Sequence, residues 1–331
     1  MKLTKNVCIY HSIDLDGWIS AAIVKHWFEQ EKERLNGREE VTMDFIGYNY
    51  GQPIPDLSEY NRVIMCDISF PVEEMDNLNF RLRNNFIWID HHISAIDFNF
   101  KDHNGLRNIK FAACELTWLY FMTNVNKLHF DDRDIETMPE IVRLLGLYDS
   151  FRHKNTNEET KVLEFQYGAR QVISDYENAY HELLIAIDEQ NKTRDEVLTT
   201  YRFEDIHVMG MSIYKYLCTE AKQSYKNGFE ITLQEPFVGE WGSGKDNRKF
   251  ICINKERFNP ISFRIDYHAD GYDGAMCWHL GADKTVNISF YNDNGQVDCS
   301  AIAKEFGGGG HRGAAGCRMS INDFNKLISN E

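Results

Sequence analysis

The chain has 331 residues, 43% apolar and 26% charged, so it is long enough for two globular domains with substantial cores. Its 51 acidic and 36 basic residues give a net charge of −15, which argues against a protein that binds long nucleic acid. The apolar run Val7–Tyr10 is too short for a signal-peptide core, and no apolar window spans a membrane, so we expect a cytoplasmic protein with no membrane partner. Eight scattered cysteines without a Cys-x-x-Cys pair argue against a zinc ribbon or a disulfide framework.

Strand-like and helix-like segments alternate in the first 90 residues. Lys5–Tyr10 predicts a strand, and the apolar periodicity of Trp18–Phe28 predicts the helix that follows it. Further strands are predicted at Val41–Tyr48, at Arg62–Ile68 and at the apolar run that ends in Ile89. The alternation indicates βαβ units and therefore a parallel sheet.

Polar residues follow three of these strands. Because the carboxyl ends of parallel strands meet at one edge of a sheet, we expect these side chains to converge there. Such groups each need a partner once they leave water, and a metal ion is the simplest one. The residues are His11, Asp14 and Asp16 after the first strand, Asp67 after the third, and Asp90, His91 and His92 after the fourth.

A further aspartate follows the predicted helices Ala112–Met122 and Asp134–Leu147. Asp149 lies at the C-terminus of the second helix, where the helix dipole disfavours an anion. A nearby cation would explain it, and a solvated loop aspartate is the alternative. From Ser150 to about Phe229 the pattern is mostly helical, and it predicts a connection between domains.

Short strands dominate the C-terminal part and predict a second, smaller α/β domain. They are expected at Lys249–Asn254, Ala275–Leu280 and Val286–Tyr291, followed by a helix at Val297–Phe306. The glycine-rich run Gly307–Gly316 comes next and is either a flexible linker or a phosphate-binding segment. We favour phosphate binding, because the run contains a His-Arg pair and small residues that permit close backbone approach.

The ligand types indicate which metal is bound. Hard divalent ions prefer oxygen, imidazole is acceptable to Mn²⁺, and cysteine is absent from the set, so Mn²⁺ is favoured, with Mg²⁺ as the alternative. Two ions about 3.5–4 Å apart form the usual clamp for displacement at phosphorus. Two ions need about as many ligands as the set provides: His11, Asp14, Asp16, Asp67, His91 and Asp149.

These motifs, in this order, resemble the DHH phosphoesterase superfamily with its DHHA1 domain. They are D-x-D-G with a preceding His, an isolated Asp, D-H-H, a later Asp, and G-G-G-G-H-x-x-A-A-G. The resemblance implies an α/β fold: an N-terminal parallel-sheet DHH domain with helices on both faces, a smaller C-terminal DHHA1 domain, and an active site in the cleft between them. We place the domains at 1–190 and 236–331, with a helical linker at 191–235.

The resemblance also implies roles for individual residues. One metal would be held by His11, Asp14 and Asp67, and the other by Asp16, Asp67, His91 and Asp149, with Asp67 bridging. The catalytic residues would be Asp14, Asp67 and His92, with His92 contacting the scissile phosphate or protonating the leaving group. Asp90 would orient a histidine rather than bind metal. Substrate would be held by Gly308, Gly309, Gly310, His311, Arg312 and Tyr291.

The sequence departs from the family pattern in two places. His11 precedes Asp14 by three positions, where many members have four. Many members also carry a phosphate-clamping arginine on the strand before the glycine run, and Ser289–Asn292 contains none. We consider Arg312, Arg264 or Lys284 as substitutes, or a base stacked on Tyr291.

The implied function is a metal-dependent phosphodiesterase that degrades short RNA or DNA oligonucleotides, like the nanoRNases of the NrnA and NrnB type, and a homodimer is compatible with it. Alternatives within the superfamily are a cyclic or linear dinucleotide phosphodiesterase, an exopolyphosphatase-like phosphohydrolase and a RecJ-like single-strand exonuclease. A different class is an inactive nucleotide-sensing module. All expected ligands are present, which favours an active enzyme.

Overall fold

A computed structural model of the chain divides it into two compact units, Met1–Ile213 and Tyr214–Glu331. No helix among the residues that the structure describes is long and apolar enough to cross a membrane. The predicted domain boundaries at 190 and 236 remain predictions. The structure describes residues 3–96, 104–123, 132–191, 202–234, 247–256 and 258–329.

The first unit is built on a parallel sheet, as the alternation of elements predicts. Its strands lie in the order β2-β1-β3-β4, and all three pairings between them are parallel. The carboxyl ends of the strands therefore share one edge. The strands are β1 (Leu3–His11), β2 (Glu40–Tyr48), β3 (Arg62–Cys66) and β4 (Phe86–Ile89).

Helices cover both faces of this sheet. Alternate side chains such as Ile9 and Met65 pack with Met75 of one helix, while their neighbours such as Cys8 and Ile64 pack on the opposite face. The helices are α1 (Leu15–Leu35), α2 (Val72–Leu82), α3 (Ile93–Ile96), α4 (Ala113–Met122), α5 (Asp132–Glu136), α6 (Glu140–Asp149), α7 (Glu159–Val172), α8 (Tyr176–Asn191) and α9 (Arg202–Lys226), the last of which continues into the second unit.

The prediction of one helix over Asp134–Leu147 is wrong. Two helices occupy this stretch, α5 and α6, and Pro139 caps the second with φ −56° and ψ 144°. Proline lacks an amide hydrogen and moves the preceding residue out of the helical region, so a helix cannot continue through it. The second helix ends at Asp149, which is the predicted location of that carboxylate.

A segment that the sequence did not identify as strand-like extends the edge of β4. The amide of Trp88 donates to the carbonyl of Asn104 (2.9 Å), and the amide of Asp90 donates to that of Leu106 (3.1 Å). The amide of Asn108 in turn donates to the carbonyl of Asp90 (3.2 Å). These bonds fix the backbone at the point where β4 delivers Asp90 and the two histidines.

The second unit is a mixed sheet in the order β5-β6-β7-β8-β10-β9, with β6 and β7 parallel and the other pairs antiparallel. The predicted strands of this part are confirmed. The elements are β5 (Phe229–Gln234), β6 (Asn247–Asn254), β7 (Gly274–Leu280), β8 (Thr285–Tyr291), α10 (Cys299–Glu305), β9 (Gly309–His311), β10 (Ala314–Ser320) and α11 (Ile321–Ser329).

The glycine-rich run forms a β-hairpin. His311 pairs with Ala314 and Gly310 with Ala315 across it. A Cβ on Gly308 would lie 2.6 Å from the Cβ of Cys317, so this position has no room for a side chain. The hairpin belongs to the sheet, which excludes the flexible-linker alternative.

Candidate metal centre

Three strand ends and one helix end meet at the carboxyl edge of the first sheet. They contribute His11 from β1, Asp67 after β3, His91 after β4 and Asp149 from the end of α6. Asp14 and Asp16 join them from the start of α1. The predicted convergence of these side chains is therefore what the fold produces within the first unit.

The first group consists of His11, Asp14 and Asp67. Nδ1 of His11 lies 2.7 Å from Oδ2 of Asp14 and 3.3 Å from Oδ2 of Asp67. Asp14 also caps α1, since its Oδ1 accepts from the amide of Gly17 at 3.0 Å. The three-residue spacing between His11 and Asp14 thus still brings both side chains to the site.

The second group consists of Asp16, His91 and Asp149. Nε2 of His91 lies 3.6 Å from Oδ2 of Asp16 and 3.2 Å from Oδ2 of Asp149. Asp16 is only 3% exposed. Both of its oxygens accept backbone N–H groups at the start of α4, from Ala113 (2.9 Å) and Cys114 (2.8 Å). The N-terminus of α4 therefore fixes the orientation of Asp16.

Asp67 lies between the two groups. Its Oδ1 is 3.3 Å from Nε2 of His91, while its Oδ2 faces His11. Oδ1 is buried and receives no hydrogen bond of acceptable geometry from the described residues. The Asp67 backbone is left-handed, with φ 61°, a conformation that aspartate tolerates better than most residues. Buried polar atoms normally have a hydrogen-bond partner, and this oxygen, which has none among the described residues, lies between the two ligand groups.

The donor set fits divalent metal. It offers carboxylate oxygens and imidazole nitrogens, all brought within reach of a common ion in each group. His92 also lies near Asp67, at 3.9 Å from Nδ1 to Oδ1. That nitrogen is engaged elsewhere, because it lies 2.7 Å from Oδ1 of Asp90. Asp67, His91 and His92 together form a third group that could hold an ion, and a carboxylate on the other ring nitrogen is the usual arrangement for a metal-bound histidine.

Asp90 organises the Asp-His-His turn, as predicted. Its Oδ1 accepts from the amides of His91 (2.7 Å) and His92 (3.0 Å) as well as meeting the His92 ring. Its Oδ2 accepts from Nε1 of Trp88 at 3.2 Å. Fully buried, Asp90 holds both histidines in position without joining either ligand group.

Protons are held tightly by the site in the absence of metal. Burial would lower the pKa of His11 and His91, but the neighbouring carboxylates outweigh it and raise each pKa to about 10. Burial, together with the charge of Asp67, raises the pKa of Asp16 to about 7. Burial and the charge of Asp16 raise the pKa of Asp149 to about 7 as well.

We expect the metal-free protein to lose stability as the pH rises from about 6 to about 8.5. Each of these four groups has a higher pKa in the folded chain, so the folded state binds more protons than the unfolded state and the free energy of unfolding falls with pH. The carboxyls contribute this loss up to about pH 7, and the imidazoles from about pH 6.5 to about pH 10. The lowered pKa of Asp14 changes the free energy of unfolding only below about pH 4.

The melting temperature of chelator-treated protein, measured across this pH range, tests the prediction. The free energy of unfolding should fall by on the order of 1 kcal/mol per pH unit. Saturating Mn²⁺ should remove the slope, because the metal replaces the bound protons. A melting temperature that rises with pH in the chelated protein would contradict the arrangement.

One residue that the sequence did not single out lies at the start of α4, whose amides hold Asp16. Glu115, only 1% exposed, accepts from the amide of Ala112 at 2.9 Å and pairs with Arg152. Gly146 of α6 leaves the space for it, since a Cβ there would lie 2.5 Å from Cγ of Glu115. Only the glutamate half of a capping box is present, because Ala112 has no side-chain oxygen, so the sequence carried no clear signal for this contact.

The predicted substrate residues lie in the second unit. His311 and Arg312 are exposed at the turn of the hairpin, and Nη2 of Arg312 donates to the carbonyl of Gly295 at 3.0 Å. Tyr291 ends β8, opposite Ala275 and Ala314. Lys284 directly precedes β8, at the opposite end of the strand from Tyr291.

Comparison with known proteins bears on the fold. No family model matches the chain. Uncharacterized protein R106 of Acanthamoeba polyphaga mimivirus is 25% identical over 334 residues, which cover 95% of this chain and 68% of that protein. A solved structure of PggH, a pGpG-specific phosphodiesterase from Vibrio cholerae, matches with a TM-score of 0.50 and 14% identity over 99% of this chain and 97% of PggH.

The chain therefore shares the fold of PggH. Two other solved structures match with TM-scores below 0.5. An exopolyphosphatase-related protein from Bacteroides fragilis has a TM-score of 0.46 and 12% identity over 99% of this chain and 91% of its own. Manganese-bound exonuclease RecJ has a TM-score of 0.49 and 14% identity over 98% of this chain and 88% of its own.

Proposed function

We propose that the protein is a divalent-metal-dependent phosphodiesterase that hydrolyses dinucleotides and very short oligonucleotides to mononucleotides. The observation that carries this proposal is the arrangement around Asp67. Its two oxygens face separate ligand groups, and one oxygen is buried without a hydrogen bond from the described residues. Such an arrangement suits two ions that share one carboxylate.

The proposed ligands are His11, Asp14 and Asp67 for one ion and Asp16, Asp67, His91 and Asp149 for the other. Two divalent ions, with Mn²⁺ preferred, would supply charge stabilisation at phosphorus and an activated water. Asp16 is held by the α4 amides and His91 by its backbone bond to Asp90, so neither needs to reorganise during the reaction.

His92 is the proposed proton donor to the leaving oxygen. Asp90 occupies its Nδ1, which leaves Nε2 as the nitrogen that exchanges a proton with substrate. Burial is the largest single effect and lowers the pKa of His92, but the hydrogen bond to Asp90 and the charges of Asp90 and Asp67 together outweigh burial and raise it. The imidazolium is thereby favoured, as a general acid requires.

A short substrate is favoured by charge. Long strands gain affinity by releasing counterions at each phosphate that meets Lys or Arg, and a protein at −15 offers few such positions. Short substrates avoid the repulsion and rely on a few contacts. We propose that Gly308, Gly309, Gly310, His311, Arg312 and Tyr291 supply part of that grip.

The fold neighbour that acts on pGpG is consistent with a linear dinucleotide substrate for this chain too. Cyclic dinucleotides, polyphosphate and longer single strands are the alternatives, and an inactive nucleotide sensor is the alternative of a different class. The complete ligand set favours catalysis over sensing.

With Mn²⁺ and 5′-labelled substrates, we expect kcat/KM for a dinucleotide and a pentanucleotide to exceed that for a 24-mer by roughly ten-fold or more, because the 24-mer lacks a basic track. A cyclic dinucleotide and polyphosphate complete the panel. Chelation should abolish turnover, Mn²⁺ should restore it better than Ca²⁺, and His311→Ala should weaken turnover without changing metal content.

Equal or faster cleavage of the 24-mer at about 0.15 M salt would contradict the substrate assignment. If polyphosphate or the cyclic dinucleotide were the preferred substrate, the corresponding alternative function would replace the proposed one. Nucleotide binding without any hydrolysis would identify a sensor.

A further inference from the structure

An exposed aromatic side chain borders the metal-ligand cluster and has no part in the chemistry described above. Tyr50 is 53% exposed, and its ring centroid lies 6.2 Å from that of His11. An aromatic ring half in water beside buried ligands is typical of a binding surface rather than of a core.

The backbone around Tyr50 is braced. The amide of Tyr50 donates to the side chain of Asn49 (2.8 Å), and the amide of Asn49 donates to that of Gln52 (2.9 Å). The hydroxyl of Tyr48 donates to the carbonyl of Gln52 at 3.2 Å. These bonds brace the backbone of the turn after β2, so little backbone entropy is lost when a ligand binds beside it.

The strand register places a second exposed apolar side chain at the same edge. His11 pairs with Tyr48, so Ile13 and Tyr50 each follow a paired residue by two positions. Ile13 is 59% exposed. An apolar rim therefore borders a strongly acidic cluster, and a purely anionic ligand such as polyphosphate would gain nothing from it.

We propose that Tyr50 is the stacking surface for a nucleobase of the bound substrate, and that it makes the site selective for nucleotides over polyphosphate. The proposal rests on the proposed function of the metal cluster and specifies its substrate class. Stacking of a base on an aromatic residue contributes about 1–3 kcal/mol and tolerates any base.

The test compares the binding of adenosine 5′-monophosphate and ribose 5-phosphate to the full chain with Mn²⁺. The two ligands share the phosphate and the sugar and differ in the base. We expect Tyr50→Ala and Tyr50→Leu to weaken adenosine monophosphate binding by about 5- to 150-fold and ribose 5-phosphate binding by less than about two-fold. Tyr50→Phe should retain most of the affinity, because the ring remains.

Tyr216→Ala, which removes another exposed tyrosine, is the matched control and should change neither affinity. Equal losses for both ligands in Tyr50→Leu, or no loss for the nucleotide, would overturn the proposal. Because the measurement is of binding, it separates the two claims. Base-dependent binding that needs Tyr50, in a protein that hydrolyses no phosphodiester, would support the stacking surface and refute the proposed function.

Discussion

Asp67→Asn is expected to lower kcat/KM for a dinucleotide by about a thousand-fold or more, while the protein remains folded. Asparagine keeps the shape of the side chain and tolerates the left-handed backbone at φ 61°, whereas alanine would add backbone strain. The amide presents only one oxygen and no charge, so the two proposed ions lose the carboxylate that they share. Residues that act as a unit in catalysis lose most of their effect when one is removed.

Asp76→Asn, on the exposed side of α2, is the matched control and should leave turnover unchanged. Steady-state kinetics measure the effect, and metal analysis of both variants identifies its cause. Stability should fall little in Asp67→Asn, since the burial that raises the pKa of Asp67 outweighs its pairing with His11 and His91. Turnover within about ten-fold of the wild type would exclude a bridging role.

Gly17→Ala should destabilise the first unit and release metal together. A Cβ at Gly17 would lie 2.8 Å from the carbonyl carbon and the Cβ of His11, and closer still to the His11 oxygen. The first turn of α1 must then move away from β1, and Asp14 and Asp16 move with it. Overpacking of this kind costs about 1–3 kcal/mol, which corresponds to a fall of roughly 2–12 °C in melting temperature for a unit of this size.

Gly37→Ala, just beyond the other end of α1, is the control for this change. Gly37 has φ +74° and no atom within 4 Å of an added Cβ, so only backbone strain of about 1 kcal/mol is expected there. Thermal unfolding and Mn²⁺ titration of both variants give the comparison. Normal metal affinity in Gly17→Ala would show that α1 is not what positions the two aspartates.

The sequence was sufficient to predict the parallel sheet and the meeting of His11, Asp67 and His91. The strands β1, β3 and β4 are apolar runs with polar residues directly after them. Because the strands are parallel, those residues lie at one edge of the sheet. Both inferences rest on local pattern and on a general topological rule, and so they required no knowledge of distant contacts.

Distant contacts account for what the sequence did not reveal. The amides of Ala113 and Cys114 fix Asp16 from almost a hundred residues away, and no local pattern indicates that pairing. The position of Tyr50 beside His11 likewise depends on the register of β1 with β2. The division at Pro139 is different, because proline chemistry alone would have predicted it.

Anomalous X-ray diffraction at the manganese edge, from crystals of the wild-type protein equilibrated with Mn²⁺, tests the two-metal centre most directly. Two peaks about 3.5–4 Å apart are expected, one beside His11 and Asp14, the other beside Asp16, His91 and Asp149, with Asp67 between them. If the protein hydrolyses dinucleotides, the absence of a manganese peak beside Asp67 would contradict the two-metal centre. A single tetrahedral zinc ion at that position would contradict it as well.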